Sequence, residues 1–136
     1  MTEADFDKLK ADAQVMFTLC FVEGGKYYYG AFAIAHNQIE DKDPLRFFVT
    51  NDFHIIVNPV ITNHTKVTIK SEETCTSFPD NPPLLVDRYN KVTVSYHLFD
   101  GEKLVGPFED NLSGKIAKIF QHEIDHLDGR YIYKIQ

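Results

Sequence analysis

The chain of 136 residues carries a net charge of −6, with 43% hydrophobic and 13% aromatic residues. That length and apolar content suit one domain, residues 1–136, with a real core rather than a disordered segment. The acidic balance excludes a general nucleic-acid binder, which needs a basic footprint. The N-terminus MTEADFDKLK has neither the basic nor the apolar region of a signal peptide, and QVMFTLCFV is too short to span a bilayer. The expectation is a cytoplasmic protein in a reducing compartment, without membrane insertion. Its two cysteines, Cys20 and Cys75, are too few for a disulfide scaffold.

In chain order, residues 2–20 read as a helix, because Phe6, Leu9, Ala13, Phe17 and Cys20 recur at three- and four-residue steps. Thr2 and Asp5 form a plausible start, and Gly24 with Gly25 a stop. KYYYGAFAIAH then reads as an extended strand. LRFFVT, HIIVNPVI and TKVTIKS follow as short strands, with Asn51-Asp52 and Thr62-Asn63 as turns. SFPDNPPLL, with three prolines, is a loop. KVTVSYHLF alternates through Val92, Val94, Tyr96 and Leu98, and Asp100-Gly101 signals a turn after it. The last helix is expected to begin at Asp110 or Asn111, to carry an apolar stripe of Leu112, Ile116, Ile119, Phe120 and Leu127, and to end at Gly129. The fold class that results is α+β: an N-terminal helix, antiparallel or mixed strands, and a C-terminal helix against which they pack.

That last helix carries His122, Glu123 and His126, the pattern HExxH. Residues four apart share a helix face, so the two imidazoles can meet one metal ion. Glu123 lies about 100° round the helix, within reach of a water on that metal without taking a ligand position. The chemistry this favours is hydrolysis of a carbonyl compound. A third ligand is needed. Ile132 stands where a further His would complete one downstream pattern, and ten residues after His126 leave no room for a distant downstream Glu. Asp128 sits about 200° round from His126. The third ligand is therefore expected upstream, among Cys20, Cys75, His36, His54, His64 and His97. Cys20 lies on an apolar stripe. Cys75 stands out, since SEETCTSFP is a poor place to bury an apolar thiol and a good place for a thiolate.

Three segments together resemble the peptide deformylases. QHEIDHLDG (121–129) matches the family's QHExDHLxG, EETCTSFP (72–79) is similar to its EGCLS segment, and AFAIAHNQ (31–38) is similar to GxGLAAxQ. VNPVI (57–61) and VDRYNKVTV (86–94) stand where the family has an Asn-Pro strand and an Arg before an alternating strand. The resemblance implies a hydrolase that removes the formyl group from N-formylmethionyl peptides and releases formate. It implies Cys75, His122 and His126 as metal ligands, with Glu123 as general base and acid. Gln38 and the Thr76 backbone N–H become donors to the oxyanion. It also implies a Glu73–Arg88 pair that orients the cysteine loop.

The metal implied is Fe²⁺, with Zn²⁺, Ni²⁺ or Co²⁺ able to substitute. An extended peptide would add along AFAIA, its methionine side chain in a pocket of Phe32, Ala33, Ile119 and His122. A monomer is expected, acting near the ribosomal nascent-chain exit, and the compact form is one that occurs in bacteriophages as well as in cells. The chain departs from the pattern at Ala31 and Ala33, which replace glycines, and at His36, Asn37, Thr74 and Thr76. Two other readings fit the HExxH helix: a metallopeptidase with the same Cys/His/His site, and a non-catalytic binding protein that keeps the metal for structure. Glu123 argues against the second, because a structural site has no use for a base.

Overall fold

The computed structural model describes residues 1–21, 33–40, 42–73 and 82–130. After a 3₁₀ turn at Glu3–Asp5, helix α1 runs Phe6–Phe21. Seven strands follow: β1 (Ala33–Ala35), β2 (Phe47–Thr50), β3 (Ile55–His64), β4 (Thr68–Glu73), β5 (Leu84–Tyr89), β6 (Lys91–Phe99) and β7 (Leu104–Ser113). Helix α2, Gly114–Leu127, comes last. One sheet has the order β1-β2-β3-β6-β7 and the other pairs β4 with β5; every ladder is antiparallel.

The larger sheet is covered on both faces. Leu9, Ala13, Met16 and Phe17 of α1 pack on Ile34, Phe47, Val49, Val57 and Phe99. Ala117, Phe120 and Ile124 of α2 pack on Ala33, Ala35, Phe48, Ile56, Val92 and Val94. Neighbours along a strand point to opposite faces, so Phe47, Phe48 and Val49 feed both cores. This is why FFV is an unbroken apolar run, as expected of a strand buried on both sides. In β6, Val92 and Val94 face α2 and alternate with the polar Lys91, Thr93 and Ser95, while Phe99 at its end reaches the α1 core.

The helix start differs from the sequence expectation. Asp110 and Asn111 lie in β7, and Ser113, in extended conformation, is the residue that precedes α2. Both side chains are spent across the ladder: Tyr96 Oη donates to Asp110 at 2.5 Å and Thr93 Oγ1 to Asn111 Oδ1 at 2.7 Å. Cross-strand partners outweigh their capping preference. Of the expected stripe, Phe120 is buried in the α2 core and Leu112, Ile119 and Leu127 pack against it. Ala117, Phe120 and Ile124 face the core, whereas Ile116 is 42% exposed and Leu112 belongs to β7.

Thr62-Asn63 is likewise no turn. The pair lies inside β3, at a shift of register between Ile61 and Asn63. At the chain's first turn, Thr2 N–H donates to the Asp5 carboxylate at 3.0 Å and Asp5 N–H to Thr2 O at 2.9 Å. Asp100-Gly101 does turn the chain: the Asp100 carboxylate accepts from the N–H groups of Glu102 and Lys103, both at 2.9 Å. The glycines at 24 and 25, Cys20's side chain and most of KYYYGAFAIAH lie outside the described residues.

α2 ends as expected. Gly129 N–H bonds His126 O at 2.9 Å and Arg130 N–H bonds Asp125 O at 2.7 Å, with Gly129 at φ +80°. That is the Schellman arrangement, which needs a left-handed residue. Arg46 holds the same end, donating to Asp128 Oδ1 and to Pro59 O, both at 2.8 Å.

Candidate metal centre

His122, Glu123 and His126 occupy one turn of α2, a helix that packs against β1, β5, β6 and β7. Their potential ligand atoms all lie within 4.8 Å of one another, and the two imidazole centroids are 4.5 Å apart. Two imidazoles that close to each other suit a divalent transition-metal ion.

Burial sets the electrostatics. His126 is 1% exposed, and burial, aided by the charges of His122 and Arg88, depresses its pKa to about 3. The ring is therefore neutral across the physiological range, with a lone pair to give. Burial also raises Glu123, which is 5% exposed, to about 7. Its Oε2 makes no hydrogen bond among the described residues and lies 3.8 Å from His126 Nδ1.

His122 is held from behind. Its Nδ1 bonds Glu73 Oε1 at 2.7 Å, and Glu73 in turn takes a bidentate fork from Arg88, Nε at 2.8 Å and Nη2 at 2.7 Å. Burial works to raise Glu73, but the hydrogen bonds from Arg88 and His122 prevail and hold it at about 2. A permanently charged acceptor fixes the tautomer of His122, with the proton on Nδ1.

Two members of this network had no signal in the sequence beyond their place in QHEIDHLDG. Asp125 accepts Arg88 Nη1 at 2.5 Å, so Arg88 spans from β5 to the metal helix. Gln121 acts as an extra strand segment: its Oε1 accepts Tyr89 N–H and its Nε2 donates to Tyr89 O, both at 2.8 Å, with Ala117 O at 3.0 Å. Together these side chains fix the small sheet against α2, and no local pattern reveals them because they depend on where β5 lies.

The loss of Arg88 would leave the Glu73 carboxylate buried without its counter-charge. Replacing Arg88 with Ala is expected to cost about 3–5 kcal/mol of folding stability and to weaken metal binding roughly 10–100-fold. Urea unfolding and a competitive metal titration measure the two effects.

Of the other residues singled out above, Gln38 lies in a 3₁₀ turn, His36–Gln38, directly after β1, and its Oε1 accepts Ala35 N–H at 2.8 Å. Ala33 is buried in β1, within the core cluster against which Ile119 packs. Cys75, Thr76 and Phe32 lie outside the described residues. His36, one of the upstream ligand candidates, is fully buried but engaged elsewhere, with Asp12 at 2.8 Å and Leu45 N–H at 2.8 Å. His54 and His64 sit at strand ends, bonded to Asp52 and to Thr65 O. No helix among the described residues is long and apolar enough to cross a membrane.

The family model described as "Polypeptide deformylase" matches residues 27–135. The peptide deformylase of Thermotoga maritima is 34% identical over 106 residues, covering 76% of this chain and 60% of the relative. The chain thus matches about three fifths of that curated relative's length. The crystal structure of peptide deformylase from Thermotoga maritima superposes with a TM-score of 0.77 at 30% identity, covering 98% of this chain and 83% of that one. The enzyme of the Vibrio parahaemolyticus bacteriophage VP16T, solved in complex with actinonin, gives 0.73 at 29% identity, covering 97% and 88%. The antiparallel sheet, the HExxH helix packed on it and a family match over most of the length converge: this chain belongs to the polypeptide deformylase family.

Proposed function

We propose that the chain is a metal-dependent hydrolase that removes the formyl group from N-formylmethionyl peptides and releases formate. The observation that carries this reading is the single helical turn of His122, Glu123 and His126, with His122 oriented by the ion-paired Glu73. Cys75, His122 and His126 would hold the ion, His122 through Nε2 because Nδ1 is committed to Glu73. A divalent ion held there supplies the Lewis acidity that lowers the pKa of coordinated water towards 7. Fe²⁺ is the native metal in this reading; Zn²⁺, Ni²⁺ and Co²⁺ suit the same donors.

The protein's own groups do the rest. Glu123 takes the proton of the attacking water and delivers it to the departing amine. Burial raises this carboxyl to about 7, a value suited to a group that accepts and returns a proton near neutral pH. Gln38 and the backbone N–H of Thr76 hold the formyl oxygen as it gains charge, and such donors contribute roughly 3–4 kcal/mol each to the transition state. The Gln38 carbonyl accepts Ala35 N–H, which sets the amide plane and makes the amide nitrogen the donor side of the group. The peptide lies along β1, an edge of the sheet beside α2, and takes its place by backbone hydrogen bonds. Its methionine side chain sits beside Phe32, Ala33, Ile119 and His122. The chain works as a monomer in the cytosol of a bacterium or of a phage-infected host, on nascent chains close to the ribosome.

The test is formate release from a short formyl-Met peptide, run without oxygen with Fe²⁺ or Ni²⁺, beside cleavage of an internal peptide bond in the same substrate. Formate release without internal cleavage is expected. Internal cleavage would make the protein a peptidase, and neither activity with any divalent ion would leave it a binding protein.

A further inference from the structure

The segment His36-Asn37-Gln38 departs from the family pattern at its first two residues, and each of its three side chains reaches a different element. His36 Nδ1 accepts Leu45 N–H, which places the ring proton on Nε2, facing Asp12 of α1. The ring also stacks on Phe47 at 4.6 Å between centroids. Gln38 turns back to Ala35 N–H. Asn37 crosses to the metal helix, where its Nδ2 donates to the main-chain oxygen of His126. That oxygen also receives Gly129 N–H in the closing turn of α2, so both of its lone pairs are engaged.

The turn is thereby anchored on one side to the scaffold, through buried His36, and on the other to a residue whose side chain is in the metal-binding group. We propose that Asn37 is a positioning residue: by tying the 3₁₀ turn to His126, it sets the place of the Gln38 amide relative to the His122/His126 pair. The proposal rests on the reading of Gln38 as an oxyanion donor. Its logic is geometric. A donor acts on the transition state only if it lies where charge will develop, and a displacement of about 1 Å costs on the order of 10²-fold in rate. His36 ties the turn to the scaffold, and the Asn37 bond adds a second tie, to the metal helix.

The test uses Asn37→Leu, which keeps the shape and removes the donor, with Asn37→Ala in reserve should the larger apolar group prevent folding. Two readouts are needed. In the metal-free protein, hydrogen exchange at Ala35 N–H, the group bonded to Gln38, is expected to speed up at least about tenfold. Exchange at the core positions Val49 and Val94 should stay at the wild-type rate. In the Ni²⁺-loaded protein, kcat for formate release should fall roughly 10–100-fold with KM within about twofold, because the lost interaction belongs to the transition state. Metal content should remain one ion per chain.

Wild-type exchange at Ala35 together with wild-type kcat would overturn the proposal. So would a loss of kcat that merely follows a loss of bound metal, since Asn37 would then support His126 and not Gln38. A wild-type protein that releases no formate would refute the functional reading; the exchange result then decides by itself whether Asn37 holds the turn.

Discussion

Replacement of Glu123 with Ala is expected to lower formate release by about 10²–10⁴-fold, the range removed with a general acid–base group, while metal content stays at the wild-type level. The carboxyl is buried, its Oε2 has no hydrogen-bond partner among the described residues, and its pKa stands near 7. A group kept so poorly satisfied contributes little to stability, because an unpartnered buried polar atom carries its full desolvation cost. Removal of Glu123 should therefore leave the unfolding midpoint close to the wild-type value or raise it. Activity and stability part company at this position, which is the behaviour of a proton carrier and not of a structural brace. Turnover within a few-fold of wild type in Glu123→Ala would remove this residue as the base. Inductively coupled plasma mass spectrometry on the same preparation shows whether the ion is retained.

The second large effect is expected at Cys75. Cys75→Ala should bring metal content from one ion per chain to near zero after dialysis, with activity falling in proportion. Structural zinc sites bind with roughly 10–16 kcal/mol, so one ligand of four is worth a few kcal/mol and its loss at least about 10²-fold in Kd. The described site supplies two imidazoles and the carboxylate proposed above as the base. A thiolate from the segment after β4 would complete it, because Glu73, the last residue of that strand, is bonded to His122 and brings the chain to the site two residues before Cys75. A Cys75→Ala protein that keeps a stoichiometric ion would show that the third ligand is another group.

The architecture was legible where local chemistry and tertiary structure agree. α1 follows its apolar stripe, β6 its alternation, and the Schellman close at Gly129 a requirement for positive φ that glycine meets without strain. It was illegible where they compete. Asp110 and Asn111 are strong helix-start residues in isolation, and only the presence of Tyr96 and Thr93 on the facing strand turns them into cross-strand acceptors. Thr62-Asn63 carries turn residues, yet β3 absorbs the pair at a shift of register.

The same contrast runs through the site. His122, Glu123 and His126 announce themselves by spacing alone, because helix geometry fixes their mutual position. The Glu73–Arg88 pair follows from the family resemblance. Arg88 reaching Asp125, Gln121 pairing with Tyr89 and Asn37 reaching His126 join residues 32 to 89 positions apart, and no periodicity encodes such contacts. His36 is the sharpest case. An isolated histidine before a loop read as one of several possible ligands, whereas it is a fully buried brace between α1 and the approach to β2.

The most direct test of the metal-centred account is formate release measured as a function of bound ion. Metal-free protein is titrated with Ni²⁺ under exclusion of oxygen and assayed on a formyl-Met peptide. Release should be absent at zero metal, rise linearly and level off at one ion per chain. Equal release with and without metal, or none at full occupancy with any divalent ion, would contradict it.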